Sequence, residues 1–271
     1  TGSMVNNGSG YAGSSAGTDF STASLVRRVQ PGSSYSGFGS DTRALQIFTA
    51  ADIRAGQNSS TSSVDLAMQW RVRNSSETPF VPTGSISPSA GLHGLVSNVL
   101  NLTGMSSATG SPDQTDPFAL QIAYASPVFY TNLVALLDGN EADLAAEGAL
   151  FLGSLDTCVN QPFGLWRNAT AANFGTGLPG DVFQNYQGSW DSFAAANSIT
   201  DANIGNFLGS YGVDIASHTV WALVNHNSQF AVVPEPSSLI LLAIGGLMAG
   251  VALVYRRRRL YRHSTLAMLA L

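Results

Sequence analysis

Lysine is missing from this chain altogether: all twelve basic residues are arginine. Cysteine occurs once, at Cys158, which excludes an internal disulfide framework and any multi-cysteine zinc site. Charged residues make up 11% of the sequence, against about 25% in average soluble domains, while Gly, Ser, Thr, Asn and Ala are abundant. That bias suits extracellular β-rich proteins. Charge is also unevenly placed. Arg256, Arg257, Arg258, Arg259 and Arg262 crowd together near the C-terminal end, and in residues 1–231 seven arginines face sixteen acidic residues. The resulting balance of about −9 repels nucleic acid, which is therefore not an expected partner. The first twenty residues hold neither a basic n-region nor an apolar h-region, so a secretory leader is expected upstream, in a longer exported protein.

What the chain does possess is one long uncharged apolar run, Leu239 to Tyr255, carried by Leu239, Leu241, Leu242, Ile244, Leu247, Val251, Leu253 and Tyr255. Seventeen residues make about 25 Å of helix, slightly short of a hydrocarbon core of about 30 Å. Snorkelling arginines and Tyr255 cover the difference. A buried core helix is the alternative, but four consecutive arginines abutting it would be hard to solvate. The expectation is one transmembrane helix with the lipid bilayer as its partner. Basic residues stay cytoplasmic, so Arg256 to Arg259 place the body before Pro234 on the outer side. Pro234 and Pro236 lack an N–H and hold each preceding residue extended, which predicts an extended, accessible junction.

Val233-Pro234-Glu235-Pro236-Ser237-Ser238, then the apolar span, then the arginine cluster, resemble the PEP-CTERM sorting signal of Gram-negative bacteria. The resemblance implies recognition through Val233, Pro234, Glu235 and Pro236 by exosortase, a membrane cysteine protease-transpeptidase that processes proteins near this motif. It also implies bacteria that make extracellular polysaccharide, a candidate partner. Residues 260–271 continue past the basic cluster, where family members normally stop within a few residues. Some ice-binding proteins carry the same kind of tail, but ice binding needs a flat, repeated Thr-rich face, and this sequence has no such repeat. Segments such as "MQWRVRNSSE", "LVSNVLNLTGM", "FALQIAYA" and "VWALVNHNSQFAVVPEP" resemble, in order, the region before the tag in a group of planctomycete surface proteins. No activity comes with that likeness.

The expected organisation is a Gly/Ser-rich leading segment over 1–17, a β-rich extracellular domain over 18–231, the sorting signal over 232–263 and a cytoplasmic tail over 264–271. Val64 to Val72 alternates strictly, with Val64, Leu66, Met68, Trp70 and Val72 on one side, which predicts a half-buried strand. Phe118 to Tyr124 alternates likewise. Shorter β-favouring runs occupy Thr219 to Val224 and Gln229 to Val233, separated by the polar turn "NHNS", with weaker candidates at Ala44 to Phe48 and Leu150 to Leu155. Leu92, Leu95, Val96, Val99 and Leu100 fall at helical spacing and predict a helix. Short helices are also expected from Glu141 to Glu147, capped by Asn140, and after Thr200 through Ile204, Phe207 and Leu208. The fold class is mainly β, a sandwich-like domain with a few short helices.

Residues that carry chemistry are sparse. "GSSAG" around Ser15 matches a nucleophile-elbow pattern but lacks the flanking strand and helix. "DGNEAD" lacks the glycine and the closing glutamate of a calcium loop, and reads as a helix start. Asp113 and Asp116 in "SPDQTD" are candidate calcium donors, with a polar turn as the plainer reading. His93, His218, His226 and His263 never fall at ligand spacing, and Cys158 reads as a packed small residue. Asn7, Asn58, Asn74, Asn101 and Asn168 each begin an Asn-x-Ser/Thr triplet, a pattern frequent by chance in so Asn- and Ser-rich a chain. Trp166 and Trp190 stand in polar, Gly-rich surroundings; core packing is the leading reading, with stacking on sugars as the alternative. The expectation is a non-enzymatic surface or matrix protein with no cofactor, metal or catalytic residue. Its rivals are a carbohydrate-binding module using Trp166 and Trp190, and a hydrolase using Asp113, Asp116, Asp138 or Glu141.

Overall fold

The computed structural model describes residues 3–4, 25–40, 50–71, 95–106, 114–124, 141–156, 165–174 and 184–234. The chain divides into two compact units, Thr1–Glu235 and Pro236–Leu271, and the described residues all belong to the first. They are mainly β. One sheet has seven strands, ordered β1 (Ser3–Met4), β2 (Leu25–Val29), β5 (Val64–Arg71), β6 (Val99–Thr103), β13 (Ser228–Pro234), β8 (Leu150–Asp156) and β9 (Leu165–Asn168), every neighbour antiparallel. A second sheet has six, ordered β10 (Gln184–Gln187), β11 (Ser210–Asp214), β12 (Thr219–His226), β7 (Gln114–Ala123), β4 (Ala51–Gly56) and β3 (Phe38–Ser40), with only the β10–β11 pair parallel.

The alternation read from the sequence is what builds the core. Leu66, Met68 and Trp70 of β5, Leu100 and Leu102 of β6, and Phe230 and Val232 of β13 join Ile53, Phe118, Leu120, Ile122, Val220 and Val224 of the second sheet in one buried cluster. The outer face of the second sheet is also apolar. Ala55, Ala119, Trp221 and Leu223 are covered there by a helix, α1 (Trp190–Ala196), and a 3₁₀ turn over Ile204–Phe207. Every residue of β12 is buried for this reason. The Ser189 hydroxyl accepts from Ser192 N at the start of α1, and Asp191 lies in its first turn, where a negative charge suits the helix dipole.

Three expectations need correction. The helix read from Leu95, Val96, Val99 and Leu100 is not formed: Val99–Thr103 is strand β6, paired on one side with β5 and on the other with β13. Helical spacing coincided with an alternation of inward Leu100 and Leu102 against outward Asn101 and Thr103, and pairing with two strands outweighs a weak local preference. The second correction concerns "NHNS", which is no broad turn. Strand β12 runs through His226 and β13 starts at Ser228, so Asn227 carries the chain from one sheet to the other. The last is the strand expected from Phe118, which begins earlier, at Gln114, and passes through Pro117. The pairing of β7 with β12 shifts register between Val224 and His226, an irregularity that accommodates a residue without an N–H.

The helix predicted from Glu141 is present over Glu141–Ala146, and the segment after Thr200 forms the 3₁₀ turn. Ala44 to Phe48, Leu92, Asn140 and Val72 lie outside the described residues. Among the described residues no helix is long and apolar enough to cross a membrane, and Leu239 to Tyr255 lies outside them.

Candidate functional site

Strand β13 brings the body to the sorting junction. Phe230, Ala231, Val232 and Val233 are each 0% exposed, and Pro234 is buried as well. On one side the strand pairs with β8 from Phe230, opposite Ser154, to Pro234, opposite Leu150. On the other it pairs with β6 through Ser228 to Phe230. Beyond Phe230 that side is finished by residues 95–97: Val96 N donates to Val232 O at 3.0 Å, and Val232 N donates to the Ser97 hydroxyl at 2.8 Å. Backbone groups alternate along a strand, so the position of the missing Pro234 N–H is on the Val232 side. The proline ring therefore removes no rung of the β8 ladder. The junction is extended, as expected, but it is not accessible up to Pro234. Sequence reasoning missed this, although the unbroken apolar run from Phe230 to Val233 is the mark of a strand buried on both faces. Glu235, Pro236, the apolar span and Arg256 to Arg259 lie outside the described residues.

Two of the acidic residues named as candidates, Asp116 and Glu141, tie neighbouring segments together. Asp116 is 6% exposed and accepts from Tyr35 Oη at 2.8 Å, from Ser59 N at 3.0 Å and from the Ser59 hydroxyl. It fastens the loops before β3 and after β4 to one end of β7. Burial first, then the hydrogen bond and charge of Asp116, push the Tyr35 phenol well above its ordinary range, so it remains a donor. At the other end of β7, Glu141 accepts from Tyr124 Oη and contacts His218 Nδ1 at 2.9 Å. Burial, with Glu141 behind it, raises Tyr124 in the same way. His218 adopts a left-handed backbone, φ 51°, which costs a residue with a Cβ about 1–2 kcal/mol and is held by the Glu141 contact and the Asp214-centred turn. The nearby Ser217 hydroxyl bonds Asp214 at 2.6 Å and Thr219 at 2.8 Å.

Asp116 and Glu141 therefore sit at opposite ends of β7. Eight residues separate Asp116 from Tyr124, about 26 Å of strand, so these two carboxylates do not share a cleft. Asp113 and Asp138 lie outside the described residues, as do Ser15, His93, Cys158 and His263. Among the described residues no group of three or more His, Cys, Asp or Glu side chains is placed to hold a metal ion. His226 is buried beside a 3₁₀ turn over Ala169–Ala172, with Nε2 3.0 Å from Ala169 O, and burial lowers its pKa. Asn58, the first residue of one Asn-x-Ser triplet, is 0% exposed and donates Nδ2 to Val29 O and Ser62 O, which leaves no room for a glycan.

Trp166 and Trp190 are 0% and 3% exposed, the burial that core packing requires and that the sugar-stacking alternative does not allow. Trp166 lies in the main core, and Trp190 packs edge-on to Trp221 with ring centroids 5.4 Å apart beneath α1. Neither ring offers a face to a ligand. Apolar area decided the matter over their polar sequence neighbours.

What identifies the junction is a comparison over its own residues: positions 232–259 match the family model of the PEP-CTERM protein-sorting motif. The chain carries a PEP-CTERM sorting motif. No curated protein and no solved structure matches the chain. The PEP-CTERM motif marks an exported protein, with exosortase as its processing partner and membrane passage toward the cell surface as its route. Its first three residues, Val232, Val233 and Pro234, are the last three of β13.

Proposed function

We propose that this protein is a non-enzymatic component of the cell surface or extracellular matrix, delivered outward and then tethered or released through its C-terminal signal. The observation that carries the reading is the PEP-CTERM match over 232–259, joined to a β-rich body. In this reading Leu239 to Tyr255 retains the protein in the inner membrane during sorting. Arg256 to Arg259 hold that end cytoplasmic, and Pro234, Glu235 and Pro236 are read by exosortase. The placement of the two described candidate acids supports a non-catalytic body, because Asp116 and Glu141 are occupied by tying loops at opposite ends of β7. Extracellular polysaccharide is the partner that the surface setting suggests. The test is deletion of residues 237–271, which leaves β13 intact. The body should then leave the membrane fraction in soluble form and fail to reach the surface, whereas unchanged surface localisation would refute the reading.

A further inference from the structure

Nothing about the motif itself says which peptide bond is processed, but the fold restricts the choice. A protease must draw the residues flanking its bond into its own cleft as extended, unpaired backbone. Residues 228–234 are not free to enter one. They form an inner strand of the seven-stranded sheet, hydrogen-bonded toward β8 on one side and toward β6 and residues 96–97 on the other. Their side chains from Phe230 to Val233 are 0% exposed. Freeing them means opening the sheet at its middle, which removes core residues of both sheets together, so that opening approaches global unfolding in cost. Exposed chain ends and loop tips, by contrast, are where cleavage concentrates.

We infer that the bond broken in processing lies on the C-terminal side of Glu235, so that the mature body keeps all of β13 and exosortase engages the chain only from Glu235 onward. This rests on the sorting function proposed above. The Val232–Val233, Val233–Pro234 and Pro234–Glu235 bonds, although inside the matched motif, have their acyl carbons in β13 and are closed by the fold. In the step itself the C–N bond breaks, the acyl carbon passes to an enzyme cysteine thiol as a thioester, and the departing amine takes the thiol proton. Water or an amine acceptor then takes the acyl group and returns the thiol. The body's new C-terminus follows directly from a core strand, with no flexible spacer contributed by residues before Glu235.

The absence of lysine decides how the product is read, because after Arg167 the next tryptic site is Arg256. Digestion on the N-terminal side of aspartate instead releases a peptide beginning at Asp214, short enough for its end to be sequenced by fragmentation. The full chain would be recovered from its host with exosortase present, and the C-terminal peptide of the surface fraction sequenced. The expected peptide runs from Asp214 through Glu235 and ends at Glu235 or a later residue before the apolar span. A peptide ending at Pro234 or earlier overturns the placement while leaving sorting in force. A chain that reaches the surface still carrying Arg256 to Arg259 overturns both the placement and the processing on which it rests.

Discussion

Gly153 and Val233 translate the position of β13 into a measurable coupling. A Cβ on Gly153 would stand 2.4 Å from Val233 Cγ2, with Arg167 O at 3.3 Å and Ala231 O at 3.5 Å. Gly153→Ala therefore forces a fully buried, branched side chain to move within a packed core, at about 1–3 kcal/mol. Val233→Ala removes two buried carbons, about 1.6 kcal/mol at about 0.8 kcal/mol each, and the cavity term brings the cost to about 2–3 kcal/mol. In the double variant the added methyl enters the space that Cγ2 has left. The pair should cost at least about 1 kcal/mol less than the two single changes together, a difference of about 2–4 °C in Tm for a domain of this size. Urea unfolding of a form ending at Pro236 measures all four proteins. Additive costs, within about 0.5 kcal/mol, would refute the register that sets Val233 beside Gly153.

Three further outcomes are expected. Gly212→Ala would bring a Cβ to 2.5 Å from both Tyr186 O and the Trp221 ring, so it should destabilise by about 3 kcal/mol in thermal unfolding, more than Gly153→Ala, because backbone cannot yield as a side chain can. Asp116→Asn leaves donors from Tyr35 and Ser59 competing for a single acceptor oxygen, at about 1–3 kcal/mol, measured by urea midpoint. Stability should fall at both ends of the pH scale. His226, lowered below its ordinary 6.5, contributes fully above about pH 6.5 and loses its contribution as pH falls. Tyr35 and Tyr124, raised above 10.0, contribute fully below about pH 10 and lose theirs as pH rises beyond it. In an ultraviolet titration these two phenols should stay neutral through the range where exposed tyrosines ionise.

Much of the β architecture was legible because alternation with period two is a local signal. Leu66, Met68 and Trp70 declared their strand, and so did Phe118, Leu120 and Ile122. What was not legible depends on partners distant in sequence. Leu95, Val96, Val99 and Leu100 satisfied a helical spacing while Leu100 and Leu102 alternate with Asn101 and Thr103, and only the flanking strands β5 and β13 select between the two. Small residues hid the second apolar layer, since Ala55 and Ala119 give little sign that a helix bearing Trp190 and Phe193 will cover them. That burial also decides between core packing and sugar stacking at Trp190, which its polar sequence neighbours left open. The sorting motif was legible from composition and order alone, because its parts are contiguous. Its attachment to the core was not, because nothing within Val232 to Pro234 indicates β8 as the pairing partner.

The central claim is that exosortase sorts this β-rich body through its C-terminal signal. The most direct measurement compares the full chain in the native host with and without exosortase, by size and by fraction. The account predicts a shortened body outside the membrane fraction when exosortase is present, and a full-length chain retaining Arg256 to Arg259 in the membrane when it is absent. The same length and the same distribution in both hosts would contradict it.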